Sequence, residues 1–350
     1  MKRTHINWIL TNVTVLATLA ASTSIAAARS GVETDYKFET GSFMRHTAYH
    51  SSTSISTNMS DNGAYSKVNR DFDESHGGKW YIEEQREGWH AIAAGITDQD
   101  TSAIDRGLKI LNWGWQQQQG DGGFDCGSRG RSFHSTAFFV EASAHACLLL
   151  GNSPYASQYQ SQVDAMKPKL LKAAHWMVDN EEEGKKYNKP YTHRRYMVAD
   201  ALGETGVLCG DDGLVDHSKE YVRDGLRMQD AAGFNPEKGG FDVSYNAGGL
   251  FFAEEYYTMV ASGELKDKLY KMLEKGVAWE AGKIRGDGTI DSSGSTRVDG
   301  ANSEMSPNGK RKKIAIGEVY ETFAYWAAIS GDKSYEELAD KVAHGPRDRD

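Results

Sequence analysis

The sequence predicts an all-α fold, and three observations indicate it. From about residue 80 onward apolar residues recur at helix-like intervals, an alternating strand pattern is almost absent, and the 350-residue chain contains only six prolines. Five of these prolines fall outside the periodic segments, as continuous helices require. The segments predicted to be helical are 80–94, 103–117, 135–150, 159–180, 194–208, 219–231, 245–261, 265–281, 317–330 and 335–343.

Glycine-rich turns separate many of these helices. Segments 120–125, 210–216, 239–242 and 286–291 each combine glycines, an apolar residue and an aspartate. Glycine permits a tight or left-handed backbone, and the apolar residue can close the end of a core. A helix–turn–helix unit that recurs about every 45–50 residues is typical of stacked hairpins. The predicted architecture is an α/α toroid, an incomplete or closed barrel of about five to seven helical hairpins, with an open α-solenoid as the alternative.

The N-terminus has the order of a secretory signal peptide. Lys2 and Arg3 precede the apolar stretch 6–21, and small residues follow, with a predicted cleavage site near Ala26 to Ala28. A retained membrane anchor is the alternative, which the short and polar-spotted apolar run disfavours. The predicted domains are a signal peptide at 1–28, an extended lead-in at 29–79 and a single α/α-toroid catalytic domain at 80–350. We expect a periplasmic or secreted protein that leaves the membrane after cleavage; its oligomeric state stays open.

Composition and charge restrict the partners. The formal net charge of -9 argues against a nucleic-acid partner. It does not argue against an acidic polysaccharide, because such a substrate needs only a local basic cleft. Three cysteines indicate no disulfide scaffold and have no zinc-site spacing, and the aspartate-rich loops lack the ligand order of an EF-hand. No metal and no cofactor are predicted, while a structural calcium ion stays open.

Four segments carry the side chains with the clearest chemistry: 113–136, 191–196, 235–246 and 291–297. They lie at helix starts or in loops, where binding groups are usually presented. The predicted catalytic residues are His134, His193, Tyr245 and Arg297. The predicted substrate-binding residues are Trp80, Trp113, Trp115, Gln118, Arg194, Arg195, Tyr196, Asp242 and Asn246.

These residue types match the demands of uronate elimination. The proton beside the sugar carboxylate is a poor acid, so the enzyme must neutralise that carboxylate with donors such as Arg, His or Asn. A base then removes the proton, and an acid protonates the leaving glycosidic oxygen. Tyr and His serve in these roles when nearby cations adjust the pKa of the phenol. Tryptophans of the set can stack on sugar faces.

Each candidate also has a structural interpretation. His134 can satisfy a helix start, Tyr245 can be a core aromatic, and Arg297 can be a solvated loop residue. The Trp113 and Trp115 pair is typical of core packing. Basic residues at 193–195 oppose the dipole of the helix that they begin, which favours an external anion there.

A family resemblance rests on short motifs in this region. Gly-Gly-Phe-Asp-Val-Ser-Tyr-Asn at 239–246, Phe-His-Ser-Thr at 133–136 and Ser-Thr-Arg at 295–297 resemble the α/α-toroid polysaccharide lyases. The chain is most similar to polysaccharide lyase family thirty-eight, whose members act on alginate or glucuronan. The resemblance implies Tyr245 as the catalytic acid or base, with a histidine and Arg297 contacting the uronate. It implies no cofactor and leaves the division of roles between His134 and His193 open.

Other functions fit parts of the sequence. A glycoside hydrolase needs two carboxylates, and Asp121, Asp125, Asp211, Asp212 and Asp242 are candidates, although Asp-Asp-Gly is also good turn chemistry. A non-catalytic glycan-binding protein would use the tryptophans and arginines without the Tyr and His set. A terpenoid-cyclase-like toroid is disfavoured by the export signal and the polar loops.

Overall fold

The computed structural model describes residues 59–65, 81–126, 130–299, 303–305 and 311–346. The predicted signal peptide, Trp80 and most of the lead-in lie outside these residues. The described piece of the lead-in is a turn whose Met59 and Tyr65 form an isolated bridge. It packs on the first long hairpin through Ala91 and Ile110. Tyr65 N–H donates to the Gln85 side chain at 2.9 Å.

The described residues form helices and no strand, which confirms the all-α prediction. Eleven helices of eight or more residues follow one four-residue turn of helix. In chain order they are α1 (Tyr81–Glu84), α2 (Glu87–Asp98), α3 (Thr101–Trp115), α4 (Phe133–Gly151), α5 (Ala156–Asp179), α6 (Glu181–Asn188), α7 (His193–Cys209), α8 (Asp212–Met228), α9 (Val243–Met259), α10 (Gly263–Ala281), α11 (Ile316–Ser330) and α12 (Lys333–His344).

Two kinds of long helix alternate along the chain. Helices α4, α7 and α9 bury residues on nearly every side and contain small residues at many positions. Helices α3, α8 and α12 bury one apolar face and expose a charged one. A helix that is apolar all round belongs inside a core, and an amphipathic helix covers the outside of one. The sequence therefore separates an inner set of helices from an outer set.

The helices pack as successive hairpins. Each inner helix contacts the outer helix that follows it, in the pairs α2–α3, α4–α5, α7–α8, α9–α10 and α11–α12. The inner helices also contact one another in chain order, from α2 to α4, α7, α9 and α11. These five hairpins in the described residues fall at the lower end of the expected range. Among the described residues, none of the helices combines the length and hydropathy needed to cross a bilayer.

The recurring turn has a structural basis in two of its four predicted copies. Gly122 has a φ of 112°, and a Cβ there would lie 2.6 Å from the carbonyl oxygen of Lys172 on α5. Gly288 has a φ of 86° and approaches the carbonyl oxygen of Lys341 on α12 in the same way. Only glycine combines this backbone with so close a contact. Both turns dock the chain against an outer helix.

The other two predicted copies do not form this turn. Gly239 has a φ of 83°, but a Cβ there would have no neighbouring atom within 4 Å. Gly210 ends α7 and Asp211 caps α8, so segment 210–216 is the short connection within a hairpin and the first turn of α8. The true counterpart of Gly122 is Gly233, which contacts the carbonyl oxygen of Lys275 on α10. A shared glutamine marks the two: Gln118 donates to the carbonyl oxygens of Gly122 and Lys169, and Gln229 does so to Gly233 and Met272.

Candidate active site

The four predicted catalytic residues gather at the N-terminal ends of inner helices. His134 lies in the first turn of α4, His193 begins α7, and Tyr245 lies in the first turn of α9. The rings of His193 and Tyr245 stack with centroids 4.4 Å apart and planes 13° apart. The Arg297 guanidinium carbon lies 4.9 Å from the centroid of the Tyr245 ring. His134 interacts electrostatically with His193, which places both imidazoles in one site.

Tyr245 keeps its proton in this environment. Its hydroxyl donates to Glu304 Oε2 at 2.7 Å, and Lys312 Nζ lies 3.3 Å from the same hydroxyl oxygen. Burial raises the pKa of the phenol far above its usual range, and the bond to Glu304 adds to the rise against an opposing effect of Arg297. The phenol is therefore neutral at pH 7, ready to donate a proton.

Glu304 is a stable anion beside that phenol. Desolvation opposes its charge, but hydrogen bonds from Lys312, Tyr245 and Lys238 together lower its pKa to about 2. Lys312 Nζ lies 2.7 Å and Lys238 Nζ 3.0 Å from its carboxylate oxygens. Such a carboxylate is a poor base, so its part is to orient the phenol.

His193 is held neutral and in one orientation. Its backbone N–H donates to Glu237 Oε1 at 2.8 Å, and its Nδ1 lies 2.9 Å from Glu237 Oε2. Burial lowers the pKa of His193 well below its ordinary value, with Arg194 and other cations adding to the effect. The positive end of α7 acts in the same direction. We assign the ring proton to Nδ1, facing the Glu237 oxygen, which leaves the Nε2 lone pair available as a base.

His134 has a buried Nδ1 atom that finds no hydrogen-bond partner among the described residues. Burial lowers its pKa well below the ordinary value, and Arg194, Arg86 and Lys312 lower it further. Its ring lies edge-on to Phe138 with centroids 4.7 Å apart. A buried ring nitrogen without a partner is costly, and a ligand can supply the missing contact.

Two arginines of the site also carry unused donors. The Nε atoms of Arg194 and Arg297 are buried and have no hydrogen-bond partner in the described residues. Arg194 stacks over the ring of Tyr191, with its guanidinium carbon 4.0 Å from the centroid. Tyr191 in turn lies edge-on to both His193 and Tyr245. Together with the helix N-termini, these guanidinium groups make the site suitable for an anion.

Asp242 holds two residues of the site in position through hydrogen bonds. It is fully buried and caps α9 by accepting the backbone N–H groups of Ser244 and Tyr245 at 3.0 and 2.9 Å. Its other oxygen accepts from the Ser295 hydroxyl at 2.7 Å and the Arg297 backbone N–H at 2.6 Å. One carboxylate thus fixes Tyr245 and Arg297 relative to each other. It positions both residues and is itself out of reach of a substrate.

The remaining predicted substrate-binding residues lie elsewhere or are committed to internal contacts. Tyr196 and Trp115 are in the core, at 0% and 2% exposure, which contradicts a substrate contact. Asn246 is also fully buried, between the Asn235 backbone and Glu280. Arg195 forms an ion pair with Asp224 at 2.5 Å and donates a hydrogen bond to the carbonyl oxygen of Tyr191. Gln118 ties its turn to α5, and Trp113 lines a groove beside Asn62 and Gln162.

Sequence reasoning missed four members of the site. Tyr191 lies in segment 191–196 and Glu237 in segment 235–246, two of the four segments with the clearest chemistry. The only local signal for Glu237 is an acidic residue shortly before a glycine turn. Glu304 and Lys312 follow no local pattern and reach Tyr245 only through the fold. Glu83 is a further acid nearby: burial raises its pKa to about 7, against the Ser135 hydroxyl that donates to it at 2.8 Å.

The aspartates considered for hydrolysis have structural partners. Asp121 and Asp125 both bind Arg131, and Asp211 caps α8 and contacts His175 Nε2 at 3.0 Å. Asp212 is an exposed first residue of α8. These carboxylates do not join the Tyr245 and His193 group.

Comparisons of the sequence and the structure with protein-family models, curated proteins and solved structures find no match.

Proposed function

We propose that this protein is a polysaccharide lyase that cleaves a uronic-acid-containing polysaccharide, alginate or glucuronan, by β-elimination. One observation carries the proposal: the rings of His193 and Tyr245 stack with centroids 4.4 Å apart, and the Arg297 guanidinium carbon lies 4.9 Å from the centroid of the tyrosine ring. Base, acid and carboxylate binder thereby occupy one site. An export signal and a side-chain-only mechanism fit an enzyme that acts outside the cytoplasm without a cofactor.

The protonation states support a division of roles. His193 is neutral and takes the proton beside the uronate carboxylate through Nε2. Tyr245 holds its proton and gives it to the leaving glycosidic oxygen as the carbon–oxygen bond breaks. Arg297 and Arg194 direct unused donors to the carboxylate, where negative charge develops. His134 supplies a further contact to the bound sugar from α4.

The proposed scaffold is an α/α toroid of five hairpins, and contacts between distant inner helices support it. Phe251 on α9 lies 6.5 Å from Trp89 on α2 and 5.8 Å from Tyr325 on α11. Arg86, beside α2, interacts electrostatically with Glu318 at the start of α11. These contacts draw the first and last inner helices toward the same neighbour, α9, which supports ring closure over an open solenoid.

The test is ultraviolet absorbance of the purified protein with alginate, glucuronan and a neutral glucan, followed by an assay for new reducing ends. Elimination leaves a double bond conjugated to the carboxylate, which absorbs, whereas hydrolysis leaves none. We expect rising absorbance with one uronate polymer and none with the neutral glucan. Reducing ends without absorbance, or binding without cleavage, would overturn the lyase.

A glycoside hydrolase is the second candidate, and Glu83 favours it. A carboxyl with a pKa near 7 can act as a general acid, and Glu304, with a pKa of about 2, is a permanent carboxylate. Hydrolytic sites typically contain two carboxyls with separated pKa values that flank the bond to be broken. Glu83→Gln distinguishes the two: it would abolish hydrolysis, whereas the lyase would retain most of its turnover.

A further inference from the structure

A cluster of buried ionisable side chains lies deeper in the bundle, on the same three inner helices. Glu141 on α4, Asp200 on α7 and Glu255 on α9 are exposed by 3%, 0% and 0%. One carboxylate oxygen from each lies within 4.8 Å of the others. Neither the proposed elimination nor the helix packing explains why three carboxylates meet in the core, because each loses its hydration there.

Asp200 has no donor at either oxygen. Both its carboxylate oxygens are buried, and no hydrogen bond from the described residues reaches them. Burial raises the pKa of Asp200 far above its usual range, and Glu204, Glu255 and Glu141 raise it further. Buried carboxylates are normally bonded to donors or to a cation. Asp200 is therefore a ligand without a partner, aimed at two further carboxylates.

A buried histidine, His145, also contacts the cluster. Its Nδ1 lies 2.6 Å from Glu204 Oε1, and its Nε2 lies 3.5 Å from Glu255 Oε1. The imidazole thus contacts a carboxylate on each of two neighbouring helices. Side chains that orient ligand carboxylates from behind are a usual part of metal sites.

We propose that Glu141, Asp200 and Glu255 bind a hard divalent cation in the centre of the inner helices. The oxygen spacing permits such a cation, because ligand oxygens about 2.4 Å from Ca²⁺ are at most about 4.8 Å apart, and the three carboxylate oxygens lie within that limit. An all-carboxylate set favours Ca²⁺, Mg²⁺ or Mn²⁺ over softer metals. One such ion neutralises most of the charge that burial makes costly.

The position gives the ion a structural role. Glu141 follows His134 by seven residues on α4, and Asp200 follows His193 by seven residues on α7. Two helical turns separate each pair, so the cation site lies roughly 10 Å below the candidate active site. It joins the three helices whose starts carry His134, His193 and Tyr245. This structural role is independent of the proposed elimination.

The first experiment uses the wild-type protein. The chain is unfolded in urea with EDTA, dialysed, and refolded with CaCl2, MnCl2, MgCl2 or no metal. Bound ions are then counted by mass spectrometry, and melting is followed by circular dichroism. We expect one tightly held ion per chain and a melting temperature raised by about 5 °C or more. Refolding without a bound ion and with an unchanged melting temperature would overturn the proposal in favour of carboxyls that share protons.

A matched pair of variants locates the ion. Asp200→Ala removes a ligand, and Glu254→Ala removes an equally buried carboxylate next to Glu255 that no hydrogen bond from the described residues reaches. Burial alone raises the pKa of Glu254, so this residue lies apart from the cluster. We expect Asp200→Ala to lose the ion and Glu254→Ala to keep it. Loss from both variants, or retention by Asp200→Ala, would exclude the assigned ligands, and the wild-type result stands if Asp200→Ala does not fold.

Discussion

At the scale of single residues, the candidate site separates the protonation states of neighbouring groups. Tyr245 is protonated because it is buried and donates to an anion, and His193 is neutral because it is buried among cations. The two rings touch, yet one holds a proton and the other can accept one. That difference is what an acid–base pair requires at neutral pH.

Removing the phenol oxygen is the sharpest change at this scale. Tyr245→Phe keeps the ring that stacks on His193 but deletes the group that donates to Glu304. We expect kcat on the uronate polymer to fall by about 10²–10⁴-fold, as loss of an acid does, with KM little changed. Initial-rate kinetics measure both. Tyr257→Phe on the same helix is the control and should keep wild-type turnover; equal rates for the two variants would exclude Tyr245 as the acid.

The pH profile tests the base. The pKa of His193 lies well below its ordinary value of 6.5, so the ring stays neutral until the pH falls through that lowered value. Turnover should therefore be flat from pH 7.5 down to about 6.5 and fall only at lower pH. Burial raises the pKa of Glu237 well above its usual range, so Glu237→Gln replaces a carboxyl that favours its neutral form with a neutral amide, and the acid limb of the pH profile should stay in place or move to lower pH. An acid limb of the turnover profile that moves to higher pH in Glu237→Gln would contradict His193 as the base.

The sequence predicted these residues unevenly, for a physical reason. His134, His193 and Tyr245 were selected because they stand at predicted helix starts, and Arg297 because it stands in a Gly/Ser-rich loop. Glu304 and Lys312 were not found, because a loop carries them to Tyr245 across 59 and 67 residues. Tyr196, Trp115 and Asn246 were assigned to the site because they share those segments, but the helical rotation turns them into the core.

At the scale of elements, hydrophobic periodicity predicted every long helix and missed a short one. Helix α6 has the sequence Glu-Glu-Glu-Gly-Lys-Lys-Tyr-Asn, with no apolar period to detect. Its acidic first turn and basic last turn suit the helix dipole. Hydrophobic periodicity does not determine which helices pack against each other. The pairing depends on contacts such as the one between Asn246 on α9 and Glu280 on α10, where Nδ2 donates to Oε2 at 2.8 Å.

Glu280 should make the α9–α10 hairpin sensitive to pH. Burial raises its pKa to about 8, against the Asn246 hydrogen bond, from an ordinary 4.5. The folded state then holds the proton more tightly than the unfolded state, so stability is lost as pH rises from about 4.5 through 8. Glu280→Gln stays neutral and should remove that loss, gaining of the order of 2–4 kcal/mol relative to wild type between pH 5 and 8.

Urea unfolding at pH 5 and pH 8 measures this gain. Glu264→Gln on the same helix is the control, because its side chain is 83% exposed and pairs with Lys268 at the surface. Its stability should follow that of the wild type within about 0.5 kcal/mol at both pH values. A Glu280→Gln difference that is equally small would show that the carboxyl does not take up a proton on folding.

At the scale of the molecule, the composition of each helix accounts for its place in the inner or the outer set, but it does not indicate whether the hairpins close into a ring. Periodicity reports how much of a helix is buried and carries no information about which helix lies opposite. The contacts that address closure join residues far apart in the chain, such as Trp89 with Phe251. Phe251 is 9% exposed and also packs against Tyr325 of the last inner helix.

Phe251→Ala therefore tests closure directly. Truncating a buried phenylalanine costs about 3–5 kcal/mol, and here the cavity opens between α9, α2 and α11. In a closed ring, hydrogen exchange should speed up in both α2 and α11, since each loses packing against Phe251. In an open solenoid α2 is remote from α9 and should keep its protection. Tyr187→Ala, which truncates a side chain 59% exposed on α6, is the control and should change neither stability nor exchange in these helices. Faster hydrogen exchange in α11 alone would indicate that α2 does not pack against Phe251 and would favour the open solenoid.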